Sequence, residues 1–163
     1  MTLYWDKYPM SIALPVYQVC NILDEYIKEV KQGMLDNPSV SPSFKMFWLL
    51  FSYEMHKLEP PDDVMDHVEN TRYWIMKQVR EYKPYALAWV GLVVMTEPGK
   101  EDRHLLSTYV EYGDTTLAKQ EEVIIRHMSM RDGSERVCID FAPMDYVLPS
   151  LYNGRLANIL GDQ

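Results

Sequence analysis

Apolar residues recur along the chain with two different periods, and the change from one to the other marks the main division of the molecule. From Pro15 to Met34, the residues Val16, Val19, Cys20, Leu23, Tyr26, Ile27, Val30 and Met34 return at steps of three and four. Asp24, Glu25, Lys28 and Lys31 fill the intervening positions. That is the period of a helix with one buried face, and it predicts an amphipathic helix with Pro15 in the first turn and Gly33 at its end. After an Asn-, Pro- and Ser-rich stretch from Asp36 to Ser43, the residues Phe44 to Leu58 predict a second helix. Its middle, Met46 to Phe51, is apolar around the whole circumference. Such a helix needs cover on every side, as the centre of a domain or half of a subunit interface. Pro60-Pro61 ends it, and Asp62-Asp63 supplies capping oxygen and negative charge for a third helix running to Lys83, before Pro84.

Beyond Tyr85 the pattern is that of strands. Ala86 to Met95 is continuously apolar, as expected of a strand buried on both faces, and Glu97 to Lys100 forms a turn. Two further strands, about Arg103 to Tyr112 and Leu117 to Met130, flank Gly113-Asp114, and a fourth runs from Glu135 to Phe141 after Asp132-Gly133, a hairpin signal. Helices followed by a meander predict an α+β fold: three N-terminal helices packed on one face of a four-stranded antiparallel meander, with a C-terminal docking tail. The whole of 1–163 is expected to form one domain, with a helical part at about 11–83, the β-meander at about 85–142 and the tail at 143–163. In the tail, Leu148, Leu151, Tyr152, Leu156, Ile159 and Leu160 are apolar enough to dock.

Composition narrows the partners. With 16 Lys+Arg against 24 Asp+Glu the net charge is −8, so long-range forces oppose a phosphate backbone and nucleic acid is not an expected partner. The acidic residues alternate with Lys and Arg, without the dense carboxylate arrays of a DNA mimic. No apolar run approaches the roughly 20 residues that cross a bilayer, so no membrane is expected. The segment Met1 to Met10 has no basic region followed by an apolar one, and the two cysteines, Cys20 and Cys138, sit in no C-x-x-C pair. A cytoplasmic protein with reduced thiols fits both facts.

Chemistry is sparse. There is no nucleophile elbow, phosphate loop, dinucleotide fingerprint or H-E-x-x-H helix, and no cofactor is expected. One constellation follows from strand register. If Asp132-Gly133 is a two-residue turn, His127 faces Cys138 and Ile125 faces Asp140. If Asp114-Thr115 turns the preceding hairpin, His104 faces Ile125 and Asp102 faces His127. One face then gathers Asp102, His104, His127, Cys138 and Asp140, the groups a zinc-type metal or a Cys-His nucleophile uses. In that reading His127 is base or ligand, Cys138 nucleophile or ligand, Asp140 the orienting carboxylate and His104 a further ligand or electrophile, while the metal itself is undetermined. The plainer reading makes this face the solvated side of the meander and puts Ile124, Met128, Met130, Val137, Ile139 and Phe141 in the core. Arg126 falls among them, unexplained unless it pairs with a helix carboxylate such as Glu69.

A second grouping, Asp66-His67 with Glu69, Glu54, His56 and Arg72, includes Asp63, His67 and Asn70 at helical spacing. That spacing would suit a divalent ion or an acidic-basic relay, but charged residues at such steps ordinarily form a solvated helix face. The third feature is 12 Tyr, 11 Met, 4 Trp and 4 Phe. Phe47, Trp48 and Phe51 belong in a core, whereas Tyr4, Trp5, Tyr8, Tyr109, Tyr112, Tyr146 and Tyr152 lie near termini or at alternating strand positions, where aromatic side chains serve contacts with partners. The reading these facts favour is a non-enzymatic protein-interaction module that is a homo-oligomer, in its simplest form a homodimer, bound to itself or to another protein. A small metal- or cysteine-dependent hydrolase built on His104, His127, Cys138 and Asp140 is one alternative. A small-ligand-binding protein with a pocket between helices and sheet is the other.

Overall fold

A computed structural model describes residues 15–37, 46–144 and 156–161. The elements are α1 (Val16–Asp36), β1 (Phe47–Phe51), β2 (Met55–Leu58), the one-turn α2 (Asp62–Met65), α3 (Val68–Tyr82), β3 (Ala86–Met95), β4 (Arg103–Tyr112), β5 (Thr115–Ser129) and β6 (Glu135–Pro143). The fold is α+β, but the sheet has six antiparallel strands where four were expected, in the order β2-β1-β3-β4-β5-β6.

The two additional strands come from the segment read as a second helix. Phe47 to Phe51 is apolar in every direction because it is an interior strand, paired with β2 on one side and β3 on the other, with Trp48 to Phe51 fully buried. A short, wholly apolar run has the same pattern in a buried strand as in a buried helix. The chain reverses at Ser52-Tyr53-Glu54, where the Ser52 N–H donates to the Glu54 carbonyl at 3.0 Å and Phe51 pairs with Met55. The third helix is likewise two pieces, because His67 takes extended dihedrals (φ −133°, ψ 133°) between α2 and α3. The end of α3 is a left-handed Lys83 (φ 49°) whose N–H donates to the Val79 carbonyl at 2.8 Å, followed by Pro84. Helix α1 begins after Pro15, whose carbonyl accepts from Gln18 and Val19, and runs through Gly33 to Asp36.

Helices cover both faces of the sheet instead of one. On the first face Val19, Leu23 and Ile27 of α1 pack on Leu49, Phe51, Ala88, Val90, Leu106, Val110, Val123 and Ile139. On the second, Ile75 and Val79 of α3 pack with Leu156, Ala157 and Ile159 on Trp48, Leu50, Leu87, Trp89 and Tyr109. A sheet buried on both sides explains why β1 and β3 lack polar alternation.

The expected docking of the tail holds for Leu156 and Ile159, both buried, and for the half-buried Leu160; Leu148, Leu151 and Tyr152 lie outside the described residues. Its backbone is tied down from two directions. Arg72 of α3 donates to the Ala157 carbonyl at 2.7 Å, and the Trp89 indole N–H donates to that of Leu156 at 3.4 Å. From below, Glu111, 3% exposed, accepts the N–H of Ile159 at 2.9 Å and of Leu160 at 3.3 Å, while the Tyr109 hydroxyl accepts that of Asn158 at 3.0 Å. Burial pushes the Tyr109 phenol well above the ordinary tyrosine range.

The turns that join β4 to β5 and β5 to β6 set the register of this half of the sheet. Gly113-Asp114 is the two-residue connection between β4 and β5, with Tyr112 opposite Thr115 and Gly113 at φ +56°, which suits glycine at the first position of a type II′ turn. The β5–β6 connection is a three-residue loop, Arg131-Asp132-Gly133. The Met130 N–H donates to the Ser134 carbonyl, Gly133 donates back to Met130, and Gly133 sits at φ +84°. Asp132 accepts both the hydroxyl and the N–H of Ser134, which holds its carboxyl below the ordinary range.

Candidate interaction surface

Register decides what happens to the proposed His/Cys/Asp cluster. The three-residue loop moves the β5–β6 pairing by one position, so His127 stands opposite Val137, Cys138 opposite Arg126 and Asp140 opposite Ile124. In the preceding hairpin His104 stands opposite Val123, not Ile125. Since directly paired residues share a face, His104 and His127 lie on the α1 side with Val123, Ile139 and Phe141, and Cys138 and Asp140 lie on the other. On the first face His104 and His127 are separated by four positions of β5. Asp102 precedes β4. The described residues contain no group of three or more His, Cys, Asp or Glu arranged to hold a metal ion.

The same shift corrects the expected core. Val137, Ile139 and Phe141 face α1, while Ile124 and Met128 point the other way, Met128 being 48% exposed. Arg126 is exposed and its partner is Asp140, Nη1 to Oδ2 at 3.6 Å, not a helix carboxylate. The helix grouping separates at the break before α3. The His56 ring lies 4.1 Å from that of Tyr82, with Nε2 3.5 Å from Glu54, and Arg72 holds the C-terminal segment. Among the tyrosines expected at the surface, Tyr109 is fully buried and Tyr112 packs edge-on against Tyr85; Tyr4, Trp5, Tyr8, Tyr146 and Tyr152 lie outside the described residues.

Among the described residues, hollows lie beside both long helices. A cleft of 620 Å³ at the end of α3 is lined by Arg80, Lys83, Tyr85, Asp114 and Leu160, with Arg80 and Lys83 themselves exposed. A cavity of 190 Å³ between α1 and the β4–β5 hairpin is bounded by Cys20, Leu23, Thr108 and Lys119. Burial, then Asp24, raises the Cys20 thiol above its ordinary range, so it is less nucleophilic than a free cysteine.

The sheet edges offer a different kind of surface. Strand β2 is an edge of only four residues, carries Lys57, and is followed by Pro60-Pro61, all features that discourage strand addition. Strand β6 is the opposite edge and has nine residues without lysine, its one proline at the last position. The bond from the Met130 N–H to Ser134 sets which β6 groups face inward. Counting in twos, Arg136, Cys138, Asp140 and Ala142 turn their N–H and C=O toward β5, while Glu135, Val137, Ile139 and Phe141 turn theirs outward. Beside this edge, on the face opposite α1, lie Arg126, Met128, Arg136, Cys138 and Asp140, with the Cys138 sulfur 3.8 Å from that of Met128.

The chain matches no protein-family model, no curated protein and no solved structure.

The surface must therefore be read from its own chemistry. A row of outward N–H and C=O groups recognises another extended backbone, and the alternating side chains beside it select which one. Sequence reasoning placed Cys138 and Asp140 among the residues of interest but assigned them, with His104 and His127, to a metal or Cys-His cluster on one sheet face. The composition of β6 does not by itself mark an edge; that follows from the sheet order, in which no described strand lies beyond it.

Proposed function

We propose that this chain is a protein-interaction module that associates with itself, and that its working surface is the outer edge of β6. The observation that carries this reading is the contrast between the edges: β2 has four residues and runs into Pro60-Pro61, whereas β6 has nine and, among the described residues, no strand pairs with its outer side. An open edge of this length invites pairing unless the fold blocks it. In this reading the acidic surface serves solubility, and the two thiols, which form no disulfide with each other, suit a reducing compartment. Sedimentation velocity across a hundredfold range of concentration tests it. A weight-average mass rising toward that of a dimer supports self-association, and a strict monomer throughout overturns it.

A second reading rests on the 620 Å³ cleft, which lies between the end of α3, the β4–β5 turn and the C-terminal segment, as a small-ligand site would. Arg80 and Lys83 would favour an anionic ligand. Native mass spectrometry of freshly purified protein tests it: retained mass that is lost in Arg80→Glu supports a ligand, and bare protein refutes a tightly held one.

A further inference from the structure

The β6 strand is complementary to itself in one register. We infer that two copies of this chain join β6 to β6 in antiparallel fashion, centred on Cys138, continuing the six-stranded sheet across a twofold axis; this rests on the self-association proposed above and names its surface.

The argument begins with backbone parity. Only Glu135, Val137, Ile139 and Phe141 present outward N–H and C=O groups, so ladder hydrogen bonds between two β6 strands require odd-numbered residues opposite odd-numbered ones. A one-position slip would point donors away from acceptors. Twofold registers of the right parity are therefore centred on successive residues of β6, and each gives a different set of cross-strand neighbours.

Centred on Cys138, Val137 lies opposite Ile139 of the second copy, and the reverse, so two apolar pairs meet on the α1 side. On the other side Arg136 lies opposite Asp140 of the second copy, and the symmetry repeats that ion pair. Cys138 meets its own counterpart on the axis, as a pair without ladder bonds, where Cα atoms stand about 4.5 Å apart. Centring on Arg136 or on Asp140 would place like charges opposite each other. Centring on Val137 or Ile139 leaves Arg136 and Asp140 without an opposite charge across the strand. Opposite charges directly across a ladder stabilise it and like charges destabilise it, so the charge pattern favours the register centred on Cys138: those centred one residue away lose the ion pairs, and those centred two residues away set like charges against each other. Each copy carries a net charge of −8, so two of them repel at long range, and local complementarity of this kind is what an association between them requires.

The remaining surroundings are compatible. Asp140 already stands 3.6 Å from Arg126 and is exposed, so it can lie between Arg126 of its own chain and Arg136 of the other. A symmetric interface of this kind closes on itself and yields a dimer, not a filament.

The test uses the full chain with Cys20→Ala, leaving Cys138 as the only thiol, and a short bismaleimide that alkylates two thiols without an oxidant. At concentrations where sedimentation shows dimer, a covalent dimer should form rapidly and disappear in Cys138→Ser. Arg136→Asp should weaken the dimer on the order of tenfold, and Arg136→Asp combined with Asp140→Arg should recover most of that loss, because the double reversal restores opposite charges in the same register. Circular dichroism and melting confirm that these exposed-site variants fold. A dimer that persists without the Cys138 cross-link, or that ignores both charge reversals, overturns the β6 assignment while leaving self-association intact. A strict monomer at every concentration overturns self-association, and would leave the edge to a strand from a different protein.

Discussion

Replacing Glu111 with leucine should release the C-terminal segment from the sheet, and the size of the effect follows from the contacts it breaks. Leucine is similar in volume but accepts no hydrogen bond, so the N–H groups of Ile159 and Leu160, now held at 2.9 and 3.3 Å, lose the carboxyl beneath them. Leaving a buried donor unsatisfied costs about 1–3 kcal/mol, so keeping the segment docked would cost about 2–6 kcal/mol. Undocking instead exposes Leu156 and Ile159, at roughly 1.5–3 kcal/mol for each buried side chain. The two routes are comparable, so the loss should show as opening of residues 156–161 more than as global unfolding. The assay is amide hydrogen exchange, comparing Ile159 and Leu160 with Leu87 and Val110 in the sheet, alongside urea unfolding. Protection at Ile159 should fall by about two orders of magnitude or more, since each tenfold change corresponds to about 1.4 kcal/mol. Sheet amides should change far less. Glu111→Gln, which keeps one acceptor oxygen, should fall between. Unchanged Ile159 exchange and an unfolding midpoint within experimental error of wild type would refute the role given to Glu111.

Further outcomes follow from other contacts. Because burial raises the Tyr109 pKa, its proton is held more tightly in the folded state than in the unfolded one. Its contribution to stability is then complete below the ordinary tyrosine pKa of about 10 and is lost as pH rises above it toward the folded value. Alkaline denaturation followed by tyrosinate absorbance should therefore be less steep in Tyr109→Phe. A Cβ at Gly33 meets nothing within 4 Å, so Gly33→Ala, inside α1, should raise stability by about 0.5–1 kcal/mol in denaturant unfolding. Ile75→Ala removes a fully buried side chain beside Trp48 and Trp89 and should cost about 2–5 kcal/mol in the same measurement. Arg126→Ala breaks only an exposed ion pair and should change monomer stability by less than about 1 kcal/mol.

The sequence disclosed most where a segment is amphipathic. Helix α1 has one wet face, so its period is visible, and β4, β5 and β6 are bracketed by turn residues. It misled where a segment is buried on all sides. Phe47 to Phe51 carries no polar position from which a period could be read, and the decision between strand and helix was made by partners distant in sequence, β3 above all, with the Ser52-Tyr53-Glu54 reversal. The proposed His/Cys/Asp cluster depended on a single residue of loop length. Asp132-Gly133 signals a hairpin equally well as a two-residue turn or within a three-residue loop, and the extra residue carries Cys138 and Asp140 to the face opposite His127. Glu111 escaped notice because nothing local marks it. Its importance comes from the backbone of residues 159 and 160, 48 and 49 positions away. The alternation of Arg136, Cys138 and Asp140 is visible in the chain, but the pairing proposed for it could be framed only once β6 was known to be an edge of the described sheet.

An isotope-filtered nuclear Overhauser experiment on a mixture of labelled and unlabelled chains, at a concentration where dimer predominates, decides whether two copies meet along β6. Pairing centred on Cys138 predicts intermolecular contacts between the α-protons of Cys138 in the two copies and between the amide protons of Val137 and Ile139 across the axis. Intermolecular contacts that cluster on any other element, with none along β6, would contradict it.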